Sequence, residues 1–134
     1  MENTAIIYKV KGKENTFSFR KRLQSFRYAF NGLWILFKYE HNSRIYLACT
    51  VAVVVLGFLL HISTAEWLTL LLLIAMVFIL EIINSAIEHL ADFVSPAYSE
   101  KIKTVKDLAA AAVLVAAMAA IITGILIFIP KIFH

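Results

Sequence analysis

The stretch Glu81-Ile-Ile-Asn84-Ser85-Ala-Ile-Glu88-His-Leu-Ala-Asp92 continues directly from the apolar run 67–80. Residues three and four apart share one face of a helix, so its polar side chains form a single stripe. The first carboxylate, Glu81, lies where a membrane-spanning helix is still in or near hydrocarbon, and an ionised group there is costly. No Lys or Arg occurs between residues 44 and 101. We therefore expect a metal ion, or partners from another helix or subunit, to compensate this charge.

The composition is that of a polytopic membrane protein. The chain has 134 residues, of which 61% are hydrophobic, and a mean hydropathy of +0.81. Nine of its thirteen Lys and Arg residues lie within the first 44 positions. Basic segments beside membrane spans mark the cytoplasmic side and contact anionic headgroups. Nucleic-acid binding is a poor explanation of this charge, because most of the chain is lipid-soluble.

The periodicity predicts an all-α membrane protein with one surface helix and three transmembrane helices. Residues 1–17 are basic and aperiodic, and we expect a flexible tail. Residues 18–134 then form a single membrane domain. Its amphipathic surface helix covers about 18–40, and its spans cover about 45–62, 67–92 and 107–129. The apolar face of the surface helix is carried by six residues: Phe19, Leu23, Phe26, Phe30, Leu33 and Phe37.

Polar segments separate these elements and set the topology. We expect a break at 41–44, a short outer turn at 61–66 and a polar loop at 98–106 that follows Ser95-Pro96-Ala97. Pro130 is expected to end the third span. The basic residues at the N-terminus and in the 93–106 loop place both in the cytoplasm and the C-terminus outside.

A ridge of small residues runs along the third span. Ala112, Ala116, Ala120 and Gly124 are spaced by four, which lets two helix backbones approach closely. The ridge serves either packing within one chain or a subunit interface. Three helices have little interior in which to bury a polar stripe, so we expect an oligomer.

The stripe is suited to metal and phosphate chemistry. Mg²⁺ prefers oxygen ligands, and Glu88, with Glu40 at the end of the surface helix, could supply them. The four glycines form neither a P-loop nor a GxGxxG loop. Lys106-Asp107 could hold phosphate, or could be an ordinary charge pair at a helix start. Glu81 lies two turns, about 10 Å, deeper than Glu88, where it could act as a general base on a lipid hydroxyl.

These residues resemble those of a known family. The motif Glu81-x-x-Asn84-Ser-Ala-Ile-Glu88, with Asp92 and then Lys106-Asp107 before an Ala-rich span, is similar to that of the small bacterial membrane diacylglycerol kinases and the related undecaprenol kinases. The segment Tyr28-Ala-Phe-Asn-Gly-Leu33 and Glu40 agree in order and spacing. The resemblance covers residues from about 19 to the C-terminus.

The resemblance implies a homotrimer in the bacterial inner membrane, with active sites shared between subunits. It implies that Glu81 is the general base, that Asn84 orients groups at the site, and that Glu40 and Glu88 hold Mg²⁺. ATP would be bound by a larger set: Lys21, Tyr28, Glu40, Glu88, Tyr98, Lys106 and Asp107. Lys21 stands where some members have arginine, and Ser99 where some have histidine. These two departures affect only the periphery of the nucleotide site.

Three functions stay open at this point. The first is MgATP-dependent phosphorylation of a lipid alcohol, either diacylglycerol to phosphatidate or undecaprenol to its phosphate. The second is a small proton-coupled transporter that uses Glu81 as its intramembrane carboxylate. The third is a structural protein whose carboxylates lock an oligomer. The second carboxylate at Glu88 and the Lys106-Asp107 pair favour the kinase, and diacylglycerol is placed first as acceptor.

Overall fold

The computed structural model describes residues 19–133, which form four α-helices. They are α1 (Phe19–Tyr39), α2 (His41–Leu59), α3 (Thr64–Val94) and α4 (Glu100–Ile132). Helices α2, α3 and α4 are long and apolar enough to cross a membrane. One leading helix followed by three such helices confirms the predicted fold class. The predicted tail at 1–17 lies outside the described residues.

The junction between α1 and α2 is tighter than predicted. Only Glu40 is non-helical, with extended backbone angles (φ −89°, ψ 116°), so the break expected at 41–44 is wrong. The Arg44 guanidinium explains the difference. Its Nε donates to the carbonyl oxygen of Phe37 at 2.9 Å, and its Nη2 donates to that of Lys38. Carbonyls at a helix C-terminus lack partners within the helix. Arg44, which lies in the first turn of α2, therefore supplies hydrogen-bond donors to the last carbonyls of α1.

The turn between α2 and α3 ends in a capping box. The Ser63 hydroxyl accepts the Glu66 backbone N–H at 3.3 Å, and the Glu66 carboxylate accepts the Ser63 N–H at 2.6 Å. This reciprocal pair satisfies two orphan donors, so α3 begins at Thr64 rather than at Trp67. Lys131 Nζ lies 3.3 Å from Glu66 Oε2 and joins the start of α3 to the end of α4.

Helix α4 is longer at both ends than predicted. It begins at Glu100, so most of the loop expected at 98–106 is helical, and the helix of the third span starts before residue 107. Lys and Glu are good helix formers, so they continue α4, and Pro96 alone is enough to separate it from α3. At the other end Pro130 lies inside the last turn, which the Phe133 N–H closes by bonding to the Ile129 carbonyl at 3.3 Å.

The core joins α3 to α4. These two helices pack along most of their length, and α2 packs more loosely on α3. A buried cluster near the α2–α3 turn is formed by Ile62, Leu70, Ile127 and Phe128. Gly57 lets α2 approach the Trp67 ring, since a Cβ built there would lie 2.8 Å from it. Most other large apolar side chains are exposed on the single chain, where lipid or another subunit can cover them.

The small-residue ridge of α4 is used inside the chain for only part of its length. Ala116 is buried at 3% exposure. Ala120 and Gly124 line an apolar groove of about 560 Å³ that separates α2 from α4. Nothing lies within 4 Å of a Cβ built on Gly124. The ridge therefore serves packing within the chain at Ala116 and leaves its outer part available to another surface.

Candidate functional site

The polar stripe of α3 faces the interior of the fold. Glu81 is 2% exposed, Asn84 7% and Ser85 9%. Toward the end of the helix, Glu88 is partly buried and Asp92 is exposed. The spacing predicted this shared face, and the helix turns it toward α2 and α4 rather than toward lipid. The stripe therefore runs from a buried carboxylate to a solvated one.

The partner of Glu81 comes from another helix of the same chain. The hydroxyl of Ser43, in the first turn of α2, donates to Glu81 Oε1 at 3.4 Å. The carboxylates of Glu40 and Glu88 are also close enough for their charges to act on Glu81. A compensating group from a second helix was expected, but Ser43 itself was missed. The available signal was its place three residues after Glu40, the N-cap residue of α2, which puts Ser43 in the first turn of that helix.

Asn84 joins the middle of the stripe to its polar end. Its Nδ2 donates to Glu88 Oε1 at 3.2 Å. Its Oδ1 and the Ser85 hydroxyl are buried without a hydrogen-bond partner among the residues that the structure describes. A buried polar atom in this state is destabilising by about 1–3 kcal/mol. Such atoms are uncommon in folded proteins, and they mark this part of the stripe as a place for a further polar group.

The α1–α2 junction places Glu40 beside the part of α3 that carries Glu88. Its Oε1 lies 3.8 Å from His89 Nε2 on α3, one residue beyond Glu88. Within residues 19–133 no three His, Cys, Asp or Glu side chains are grouped closely enough to enclose a metal ion. The Glu40 and Glu88 carboxylates and the unpartnered Asn84 Oδ1 nevertheless suit the coordination preferences of Mg²⁺. This ion uses few protein ligands and completes its coordination shell with water and phosphate.

A second cluster surrounds a cavity of about 300 Å³ at the loop between α3 and α4. Tyr98, Lys106 and Asp107, all predicted to bind nucleotide, line it. Lys106 Nζ lies 2.9 Å from Asp92 Oδ1, and the side chains are 33% and 69% exposed. The Tyr98 hydroxyl donates to Glu100 at 2.5 Å. This hydrogen bond, with lesser contributions from desolvation and the charge of Asp107, raises the pKa of Tyr98.

Two predicted nucleotide residues lie apart from that cavity. Lys21 and Tyr28 are on the exposed surface of α1, where the Tyr28 hydroxyl accepts a hydrogen bond from Gln24 at 3.0 Å. In the described part of the chain α1 packs on α2 and α3 but not on α4. One chain therefore brings together Glu40, Glu81, Asn84 and Glu88, and separately Tyr98, Lys106 and Asp107, but does not add α1 to the second group.

Comparison with known proteins identifies the family. The sequence profile of the family described as prokaryotic diacylglycerol kinase matches residues 27–128. The chain belongs to this family. It is 38% identical over 119 residues to an undecaprenol kinase of Bacillus subtilis, covering 89% of this chain and 97% of that one. It is 41% identical over 109 residues to a diacylglycerol kinase of Synechocystis, covering 81% and 62%. A diacylglycerol kinase of Escherichia coli is 31% identical over 109 residues, covering 81% and 89%.

Membership of the prokaryotic diacylglycerol kinase family confirms the resemblance seen in the sequence. The matched range contains every predicted site residue except Lys21. It begins inside α1 and ends near the C-terminal end of α4, so it covers both polar clusters. The names of the relatives divide between the two lipid alcohols that the sequence left open. The individual roles of the site residues remain predictions.

Proposed function

We propose that this protein is a membrane lipid kinase that transfers the terminal phosphate of MgATP to the hydroxyl of a lipid. The observation that carries the proposal is the arrangement along α3. A buried carboxylate, Glu81, lies about 10 Å below a more exposed one, Glu88. Membrane lipids present their hydroxyls at that depth, whereas nucleotides arrive from water. Family membership favours this kinase over a proton-coupled transporter or a purely structural protein.

Glu81 acts as the general base in this proposal. A candidate base must reach the proton it removes, and the buried end of the stripe is where a lipid hydroxyl can approach. Asn84 orients groups at the site. Its amide is held by Glu88, and its carbonyl oxygen is free of protein partners in the described residues. Phosphoryl transfer needs mainly positioning and charge neutralisation, so two such groups suffice for the acceptor side.

Glu40 and Glu88 would hold Mg²⁺ in this proposal. When bound, the ion would neutralise negative charge on the phosphates. The approach of Glu40 to α3 through His89, and the bond from Asn84 to Glu88, support this pair as ligands. Lys106 supplies a further positive charge for phosphate from the cavity beside Asp107. Tyr98 lines the same cavity and is the third proposed nucleotide-binding residue there, with Lys106 and Asp107.

The complete nucleotide site forms between subunits. Lys21 and Tyr28 lie on α1, which does not reach α4 within one chain. A neighbouring subunit, most simply in a homotrimer, can bring its α1 to the cavity beside Lys106. The many exposed apolar side chains and the open outer part of the α4 ridge support an oligomer. The N-terminus and the nucleotide site lie in the cytoplasm and the C-terminus outside, following the basic residues.

Two lipid alcohols, diacylglycerol and undecaprenol, are proposed as acceptors and are both tested. Diacylglycerol is named in the relatives from Synechocystis and Escherichia coli. Undecaprenol is favoured by the Bacillus subtilis relative, whose length this chain covers almost completely. Both reactions use the same groups, since each acceptor offers a single primary hydroxyl at the membrane surface.

The test is phosphate transfer from labelled MgATP to each lipid, side by side in mixed micelles. We expect product with at least one lipid, and a loss of about a hundredfold or more in turnover for Glu81→Gln, which keeps shape and removes basicity. Glu66→Gln makes the same chemical change at the outer end of α3 and serves as the control. Absence of product with both lipids would refute the kinase. Near-normal turnover in Glu81→Gln would refute the base assignment.

A further inference from the structure

Ser43 is the most completely buried side chain in the described part of the molecule. Its exposed fraction is 0%, whereas the neighbouring His41, Asn42 and Arg44 are exposed. Burying a hydroxyl without a hydrogen-bond partner is unfavourable. The partner of the Ser43 hydroxyl therefore indicates the role of this side chain. That bond crosses from α2 to α3 and ends on Glu81 Oε1, 3.4 Å away.

The bond is not a helix cap. Serine near a helix start commonly bonds to backbone groups of its own helix. The N-cap position of α2 is Glu40, and no side chain caps this helix start. The Ser43 hydroxyl instead meets the carboxylate of another helix. The distance is long for an O–H···O bond, as is common for catalytic contacts before substrate is bound.

We propose that Ser43 is a positioning residue for Glu81. An ionised carboxylate only accepts hydrogen bonds and has two oxygens with which to do so. Ser43 holds Oε1, which fixes the side-chain rotamer and leaves Oε2 for the lipid hydroxyl. This inference rests on the proposed function, in which Glu81 is the base.

The position of Ser43 gives it a second consequence. It lies one turn after Glu40, and Arg44 beside it bonds back to the end of α1. One short turn therefore fixes a proposed magnesium ligand and the orientation of the base together. Alignment of this kind is sensitive, because small misplacements of reacting groups cost large factors in rate.

The first experiment compares hydroxyl-deleting and hydroxyl-retaining variants in the lipid-kinase assay. Ser43→Ala is expected to lower kcat about tenfold, the usual range for a hydrogen bond to a charged group, with KM for MgATP unchanged. Ser43→Thr keeps the hydroxyl and is expected to restore kcat to within about threefold of the parent. Thr69→Val deletes a hydroxyl about 18 Å along α3 from Glu81 and should leave kcat unchanged.

A double variant tests whether Ser43 acts through Glu81, even where threonine does not fit the buried site. Glu81→Asp shortens the carboxylate and withdraws it from a hydroxyl already 3.4 Å away. In that background Ser43→Ala is expected to cause no further loss of kcat. A structural role would give the same tenfold loss in both backgrounds and would overturn the proposal, as would unchanged kcat in Ser43→Ala alone.

The outcomes separate this inference from the proposed function. Full activity in Glu81→Gln would remove the base, and the inference with it. An inactive Glu81→Gln beside an unaffected Ser43→Ala would leave the kinase mechanism standing and refute the positioning role. A fall in kcat for Ser43→Ala accompanied by an equal rise in KM for MgATP would also refute it, because that pattern indicates a general disturbance of the site.

Discussion

The contact between Lys106 and Asp92 predicts a change of nucleotide affinity whose direction is unusual for a mutation in an active site. Lys106 Nζ lies 2.9 Å from Asp92 Oδ1 at the edge of the cavity, and both side chains are solvent-accessible. Exposed ion pairs contribute little, so in the proposed nucleotide site Lys106 can leave Asp92 for a phosphate at small cost. Asp92→Asn removes this competitor and a negative charge near the phosphates. We expect KM for MgATP to fall by about two- to fivefold.

The companion variant has the opposite effect. Lys106→Gln removes a charged donor to phosphate, and we expect KM for MgATP to rise about ten- to a hundredfold. The assay is initial-rate phosphorylation of lipid in mixed micelles at saturating lipid, with MgATP varied at constant ionic strength. Raising the salt concentration should reduce the difference between Asp92→Asn and the parent, because screening weakens exposed pairs.

One result would refute this reasoning. A rise of tenfold or more in KM for Asp92→Asn would mean that Asp92 assists nucleotide binding, either as a metal ligand or by holding Lys106 in its bound position. Lys103→Gln is the control, since it removes a lysine from the same cavity wall without an ion pair to Asp92. Its KM should change less than that of Lys106→Gln.

Two further predictions concern the metal and the packing. Glu88→Gln should raise the Mg²⁺ concentration for half-maximal activity about tenfold, measured by titrating the ion at fixed ATP, since one of the two proposed carboxylate ligands is lost; an unchanged requirement would show that Glu88 is not a metal ligand. Gly57→Ala should destabilise the fold by about 1–3 kcal/mol, because its Cβ would lie 2.8 Å from the Trp67 ring. Thermal inactivation in detergent measures this, and Gly32→Ala, whose Cβ meets nothing within 4 Å, is the control. Equal stability of the two variants would contradict the close packing.

The sequence predicts the helices and the buried face of α3 because their signals are local. Apolar length indicates each membrane span, and steps of three and four place Glu81, Asn84 and Glu88 on one side. The predicted start of the third span differs from the start of α4, because the charged residues before residue 107 resemble a polar loop although Lys and Glu favour helix. Charge in that segment indicates exposure to water and says little about whether the backbone is helical.

The contacts between helices were less predictable. Ser43 meets Glu81 only because α2 is rotated to point that one side chain inward. Helix α2 is apolar nearly all round, so periodicity does not indicate which face meets α3. Arg44 was likewise missed as the group that closes α1, because its bonds are to backbone carbonyls, which every residue offers. Such pairs are determined by the rotation of whole helices, and a single sequence contains little information about it.

The unbroken course of α3 has a consequence for where this enzyme can work. Glu81 lies seventeen residues after the capped start of α3 at Thr64, a distance of about 26 Å at the rise of an α-helix. The capping box and the Lys131 contact fix the start of α3, so the length of the helix sets the distance between that start and the carboxylate. Lipid hydroxyls, by contrast, move with the thickness of the bilayer. Matching of base to acceptor is thus a property shared between the protein and the membrane that surrounds it.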